Sequence, residues 1–197
     1  MKLYMSKNSP YVRIVRVVLR ENPKVADVTE LEIDPRDPAT GFWSVNPIAR
    51  IPTLELDDGT VIAESDLICR HLDDMAGGAL YAPLRDNASR LAILGIAQGM
   101  LDRGVAARTE RMRPGGPDQA AFVETHFAAI RRAADALESI APAAVDTPDI
   151  ADIAVACTVA WLDFRHPEVD VRAGRPGLSR WFSEMDARDS MASTRPS

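Results

Sequence analysis

The sequence predicts an α/β domain followed by an all-helical one, on three observations. Residues Asn46 to Ser65 read as a proline-marked strand entry, a turn at Asp57-Asp58-Gly59, and a second strand leading to a helix mouth at Glu64-Ser65. An Asp-Gly pair between two short apolar, β-branched runs is the strongest short-range hairpin signal a sequence offers. Upstream, apolar spacing gives strand, helix and strand, so the first part of the chain has the order β-α-β-α-β-β-α when one helical turn is counted in the loop before the hairpin. Beyond about residue 79 strand signals stop and every apolar pattern is helical. The expected division is 1–78 for the α/β domain, 79–87 for a linker and 88–197 for the helical domain.

Taken in order, Lys2-Leu3-Tyr4-Met5 is a short apolar strand that Ser6-Lys7-Asn8 breaks. Ser9 then stands as an N-cap with Pro10 at the first helical position, where its missing N–H costs nothing. Tyr11, Ile14, Val15 and Val18 recur at helical spacing with Arg13, Arg16 and Arg20 on the opposite face, and Asn22-Pro23 ends the helix. Val28 to Ile33 alternates like a strand, and two prolines and a glycine between Asp34 and Trp43 mark a loop with at most one helical turn. After the hairpin, Ser65 is expected to cap a helix through Leu67, Ile68, Leu72 and Met75, which Gly77-Gly78 terminates. A β-α-β unit followed by a hairpin and a helix fits a thioredoxin-like domain, and other α/β sandwiches as well.

In the second part, Leu91, Leu94, Ala97, Leu101 and Val105 share a stripe that Pro114-Gly115-Gly116-Pro117 ends. Phe122, Phe127, Ile130, Ala134 and Leu137 are expected to face inward on the next helix, before Pro142. Asp149 is placed to cap a further helix while Asp152, three residues on, reaches back as an acidic capping box, with Ile153 set for the hydrophobic staple. Ile153 to Phe164 is apolar on nearly every side, which predicts a helix buried all round, and a last helix starts near Arg175-Pro176.

A net charge of −6 over 197 residues supplies no global electrostatic reason to bind nucleic acid or an anionic membrane. The sequence has no run of about 18 apolar residues and no basic-then-apolar leader, so a cytoplasmic location is expected. Cys69 and Cys157 both fall within apolar helical patterns, which predicts buried reduced thiols. His71, His126 and His166 are isolated, and no Cys/His spacing matches a metal site. There is no phosphate loop and no dinucleotide fingerprint. Arg103, Arg108, Arg111 and Arg113 read first as solvated or ion-paired helix faces, with an anionic second substrate as the alternative. Met100 and Met112 fit either a core or an adaptable apolar pocket.

These residues together resemble the glutathione S-transferase family, in which a thioredoxin-like domain precedes an all-helical one. The resemblance rests on Ser9-Pro10-Tyr11-Val12-Arg13, on Asn46-Pro47 followed by Arg50-Ile51-Pro52, on Glu64-Ser65-Asp66, and on the Asp149 to Asp152 box, which span the chain in the family's order. The spacing is most similar to bacterial members with a serine at the first helix. Two departures stand out: Asp149 occupies a position where the family usually has Ser or Thr, and the chain is short, which trims the helical domain that shapes the electrophile pocket.

The resemblance implies a glutathione transferase with glutathione as co-substrate, no metal, a small electrophile as second substrate and a homodimeric state, without nucleic acid or membrane as partners. Ser9 would then donate its hydroxyl proton to the sulfur of glutathione as a thiolate stabiliser and not act as a nucleophile, while still accepting a helix N–H as an N-cap. A free thiol titrates near 8.5 and one hydrogen bond to a charged group is worth roughly 1.5–3 kcal/mol, enough to lower that value by about one to two units. Pro52 on its own reads as an ordinary trans proline; the resemblance implies a cis Ile51–Pro52 bond, with the Ile51 backbone pairing the cysteinyl part of glutathione like an added strand. By the same resemblance Ser65 would take the γ-glutamyl carboxylate at a helix N-terminus, Glu64 would face its ammonium group and Arg50 the glycine carboxylate, and in some relatives the residue at Asp66 reaches the ligand across a dimer. Two other readings compete. A glutathione-dependent oxidoreductase or peroxidase is disfavoured by Ser at position 9, where a mixed disulfide needs Cys. A non-catalytic glutathione-binding or regulatory relative keeps the fold without the chemistry.

Overall fold

Lys2–Met5 forms strand β1, with Leu3 and Met5 facing the core, and the chain then turns into helix α1, Pro10–Glu21. The computed structural model describes residues 1–22, 25, 27–140 and 146–196, so the chain stops set at Pro23 and Pro142 lie outside it. Strand β2, Thr29–Glu32, pairs parallel with β1; β3, Thr53–Glu55, pairs antiparallel on the other side; and β4, Val61–Ala63, closes the hairpin onto β3. The sheet order is β2-β1-β3-β4, the thioredoxin-like arrangement expected from the β-α-β and β-β-α halves. Before β3 the loop holds more helix than its prolines suggest: a 3-10 turn at Pro38–Thr40 and then α2, Phe42–Val45, anchored by Phe42, which is buried with its ring 5.3 Å from that of Tyr4. Helix α3, Ser65–Ala76, follows β4 and lies against α1.

The chain divides into two compact units, residues 1–83 together with 189–197, and residues 84–188. The expected helical domain ran on to residue 197; its last stretch packs with the first unit instead. The short helix α8, Asp189–Ala192, lies on α1, where the Arg13 guanidinium donates to the Met191 carbonyl at 3.2 Å and the Ser190 hydroxyl to Glu21 at 2.5 Å. Two of the three arginines that the sequence sets opposite the apolar stripe of α1 are also buried. Arg13 and Arg16 are 2% and 6% exposed, because α8 covers one and Glu30 of β2 pairs with the other at 2.9 Å.

In the second unit, α4 (Ala88–Arg111), α5 (Gln119–Ser139), α6 (Ile150–Arg165) and α7 (Pro176–Asp186) form an all-α bundle. Helices α4 and α6 run parallel, since Arg90 meets Asp149, the Thr158 hydroxyl donates to Ala97 and His166 reaches Gly104 in ascending order. Gly104 sets how close they come: a Cβ there would lie 2.7 Å from Leu162 and 2.8 Å from Trp161. The buried stripe of α4 is Ile93, Leu94, Ala97, Met100, Leu101, Gly104 and Ala107, so Met100 is core whereas Leu91 is exposed. Leu91 lies in the first turn of α4, before the buried stripe begins at Ile93. Phe122, expected inward, sits in the first turn of α5, exposed and against the His126 ring. Apart from Ala160, helix α6 is buried through Leu162 as its all-round apolarity requires, but Phe164 in its last turn is exposed beneath the Arg165 guanidinium.

The box that opens α6 is formed. Asp149 Oδ1 accepts from the N–H of Ala151 at 2.8 Å and of Asp152 at 3.1 Å, and Asp152 Oδ2 accepts from the Asp149 N–H at 3.1 Å. Its acidic character is balanced by a residue the sequence did not point to. Arg90 on α4 donates Nε to Asp149 at 2.7 Å, bonds its second oxygen, and lies 2.7 Å from Asp152 Oδ1. Burial pushes the Asp152 carboxyl up, against the pull of Arg90.

At the other end of α6, His166 is 1% exposed between the rings of Phe127 and Trp161, with Nε2 3.0 Å from the Gly104 carbonyl. Burial lowers its pKa; Arg111 and Arg108 push the same way, and the Gly104 carbonyl and Glu168 oppose them. The folded state therefore resists protonation more than the unfolded chain, and stability falls as pH drops below about 6.5. Urea midpoints at about pH 7.5 and about pH 5.5 should fall further apart for the unsubstituted protein than for His166→Gln. Equal differences would remove His166 from the pH response.

Candidate functional site

The sheet register gathers the singled-out segments at one edge of the first unit. Tyr4 pairs with Thr53 and Thr53 with Ala63, so the end of β1, the start of β3 and the end of β4 stand side by side. Residues 6–9, 50–52 and 64–65 extend from those three strand ends.

Ser9 is the N-cap of α1, half-buried, with extended backbone angles and a hydroxyl oxygen that accepts from the Val12 N–H at 3.4 Å. That is its side chain's one hydrogen bond among the described residues, and it leaves the hydroxyl proton uncommitted. The segment before β3 is held from inside. Buried Asn46 donates to the Arg50 carbonyl at 3.1 Å and to the Thr53 hydroxyl at 2.8 Å, and that hydroxyl donates to the same carbonyl at 2.7 Å. The Ile51–Pro52 bond is cis, and no turn or loop hydrogen bond among the described residues occupies the Ile51 N–H or carbonyl. Arg50 projects into solvent with its side chain 75% exposed, 3.8 Å from the Glu64 carboxylate.

At the mouth of α3 the structure corrects one expectation. The N-cap is Glu64, not Ser65, and Ser65 is the first helical residue. Glu64 takes φ 71° and ψ 122°, a left-handed conformation that costs a non-glycine residue of order 1–3 kcal/mol and concentrates at ligand sites. Its side chain makes no cap bond, so among the described residues the N–H groups of the first turn of α3 have no side-chain acceptor. A helix N-terminus in that state favours an anion. Asp66 is turned aside, bonded by Arg70 Nε at 2.9 Å and by the Tyr81 hydroxyl at 2.8 Å.

Asn46 and Thr53 shape this edge, yet sequence reasoning gave them no task beyond the motif and the strand. A polar residue before proline and a threonine at a strand start were the only signals. In the second unit Arg111 pairs with Glu168 and approaches His166, and Arg113 pairs with Glu110, as ion-paired helix faces do; Met112 is exposed. Cys69 and Cys157 are buried thiols in α3 and α6. Among the described residues no group of three or more His, Cys, Asp or Glu is placed to hold a metal ion, and no helix is long and apolar enough to cross a membrane.

Two family models match the chain. The glutathione S-transferase N-terminal domain covers residues 3–79, and the glutathione S-transferase C-terminal domain residues 106–184. A glutathione transferase family member from Pseudomonas fluorescens Pf-5, solved with bound glutathione, is 34% identical over 100% of this chain and 98% of that one, with a TM-score of 0.89. A glutathione S-transferase from Methylobacillus flagellatus KT, also solved with glutathione, is 30% identical over 100% and 99% of the two chains, with a TM-score of 0.88. The uncharacterized GST-like protein YibF of Escherichia coli K12 is 29% identical over 100% of this chain and 98% of its own length. With both halves matched in order, and relatives of 30% identity or more spanning its whole length, the chain belongs to the glutathione S-transferase family.

Proposed function

We propose that this protein is a glutathione transferase that binds glutathione along the sheet edge described above and activates its thiol through Ser9. The observation that carries the reading is the convergence, at one edge, of a helix-capping hydroxyl with an uncommitted proton, a backbone edge at Ile51 and the uncapped mouth of α3. The relatives solved with glutathione support the ligand. The Pseudomonas protein was also solved with S-(propanoic acid)-glutathione, in which the sulfur carries an organic substituent.

In this reading the glutathione cysteine lies against Ile51 as an added strand after cis-Pro52, its γ-glutamyl carboxylate accepts from the Ser65 hydroxyl and N–H, its ammonium faces Glu64, and its glycine carboxylate faces Arg50. Arg50 and Glu64 already stand within ion-pair distance, so ligand charges of opposite order would meet each in turn. The Ser9 hydroxyl donates to the sulfur, and the N-terminal end of α1 adds a positive potential, so the thiolate is stabilised over the thiol. The thiolate then attacks an electrophilic carbon: a sulfur–carbon bond forms and the leaving group departs with the displaced electron pair. We further place the protein in a reducing cytoplasm, in keeping with its buried thiols. We propose that it acts as a homodimer, since Leu67 and Met75 on α3 expose an apolar face that a second copy would cover.

Ser65→Ala tests the binding half. It removes one hydroxyl donor to a carboxylate at an exposed helix end, so the dissociation constant for glutathione, measured by calorimetry, should rise about tenfold. The same affinity in both proteins would take Ser65 out of the site.

A further inference from the structure

We propose that Tyr81 is a positioning residue for the glutathione site, holding the Asp66 carboxylate away from the mouth of α3 so that the helix end stays open to the ligand's carboxylate. This rests on the glutathione reading above and assigns a role in it to a residue outside every motif of the sequence.

The geometry begins at the far end of α3. There Gly78 N–H donates to the Asp73 carbonyl at 2.7 Å, and the fully buried Asp73 carboxylate accepts from the N–H groups of Leu80 at 3.0 Å and Tyr81 at 2.9 Å. These bonds fold the chain back along the helix it has just left. They deliver the Tyr81 side chain, itself 8% exposed, to a residue 15 positions earlier. Its hydroxyl donates to Asp66 Oδ1 at 2.8 Å and lies 3.3 Å from the Asp66 carbonyl. Arg70 completes the hold: Nε donates to Asp66 Oδ2 at 2.9 Å, and the guanidinium rests 4.6 Å over the Tyr81 ring. Both carboxylate oxygens of Asp66 are thus engaged sideways. Burial raises the Tyr81 phenol pKa far above its ordinary value, with Cys69 and Asp66 adding to it, so the hydroxyl remains a donor at every working pH.

Asp66 is the second residue of α3, directly after Ser65. A short carboxylate in a first helical turn is attracted to that helix's own unbonded N–H groups. Unrestrained, it competes with a bound carboxylate for those donors and repels it. With Tyr81 and Arg70 in place, its charge is partly neutralised and directed away from them.

The test is Tyr81→Phe, which keeps the ring beneath Arg70 and removes only the hydroxyl. Calorimetry should show glutathione affinity reduced about tenfold, and steady-state kinetics a rise in KM for glutathione far larger than any fall in kcat. Adding Asp66→Asn should restore affinity to within about threefold of the unsubstituted protein, because the competing charge is gone. A purely structural role would lower the melting temperature without moving affinity, and Asn at position 66 would restore nothing; either result overturns the proposal. If the unsubstituted protein itself fails to bind glutathione at millimolar concentration, the glutathione reading falls and this role falls with it. Tight binding by the unsubstituted protein with equal affinity in Tyr81→Phe overturns the role of Tyr81 alone.

Discussion

Arg90→Ala is expected to destabilise the helical unit by about 3–5 kcal/mol at neutral pH, the usual cost of removing one partner from a buried ion pair. The side chains of Arg90, Asp149 and Asp152 are only 16%, 8% and 7% exposed, so solvent screens little of the charge left behind. Two carboxylates would then face each other at the mouth of α6 with no cation between them. The sign of the pH effect follows from burial, which already raises the Asp152 pKa and would raise it further without Arg90. The folded state would bind a proton that the unfolded chain releases, so the penalty should shrink as pH falls. Asp149→Ser offers a sharper comparison, since a serine still caps a helix N-terminus. Alone it should cost less than Arg90→Ala, and combined with Arg90→Ala it should recover part of the loss. Urea denaturation of the four proteins of this cycle measures the coupling directly. A change within about 1 kcal/mol for Arg90→Ala would show that the ion pair contributes no more than an exposed one.

Ser9→Ala should lower conjugation turnover at neutral pH by about tenfold or more while leaving glutathione affinity within a few fold. One hydrogen bond to the thiolate is worth roughly 1.5–3 kcal/mol, or about one to two pKa units, and its loss returns the bound thiol toward 8.5. Turnover of the variant should accordingly recover as pH rises through that value, whereas the unsubstituted protein stays near its plateau. Alanine also removes the acceptor for the Val12 N–H, which costs an N-cap about 1 kcal/mol. Ser9→Gly separates the two effects, because glycine at an N-cap costs only a few tenths of a kcal/mol yet carries no hydroxyl. Both variants should be equally slow, and a fast Ser9→Gly would assign the defect to folding.

What the sequence made legible was local. The Ser9-Pro10 start, the Asp-Gly hairpin, the Asp149 box and the all-round apolarity of α6 each depend on residues within a few positions of one another, and each has a geometric meaning at that range. The counter-charge of the box is 59 residues from Asp149, and no local pattern marks Arg90 among the other arginines of α4. A still longer separation, 178 residues between Arg13 and Met191, hid α8 on α1, which covers an arginine that periodicity alone sets opposite the apolar stripe. Glu64 as N-cap was illegible for another reason: its left-handed backbone is one that a glutamate adopts only when the strand before it and the helix after it leave no alternative, so propensity points to Ser65. At the site, the position of each segment follows from sheet register. The bonds that hold them, from Asn46 and Thr53 to the Arg50 carbonyl and from Tyr81 to Asp66, are tertiary and have no sequence signature.

The most direct test of the central claim is a titration of the thiol of bound glutathione, followed by thiolate absorbance, in the unsubstituted protein and in Ser9→Ala. The expected result is a pKa about one to two units below the free value of about 8.5 in the first and a return toward it in the second. Glutathione that binds with an unshifted pKa, or a depressed pKa that survives the loss of the Ser9 hydroxyl, would contradict thiol activation by Ser9.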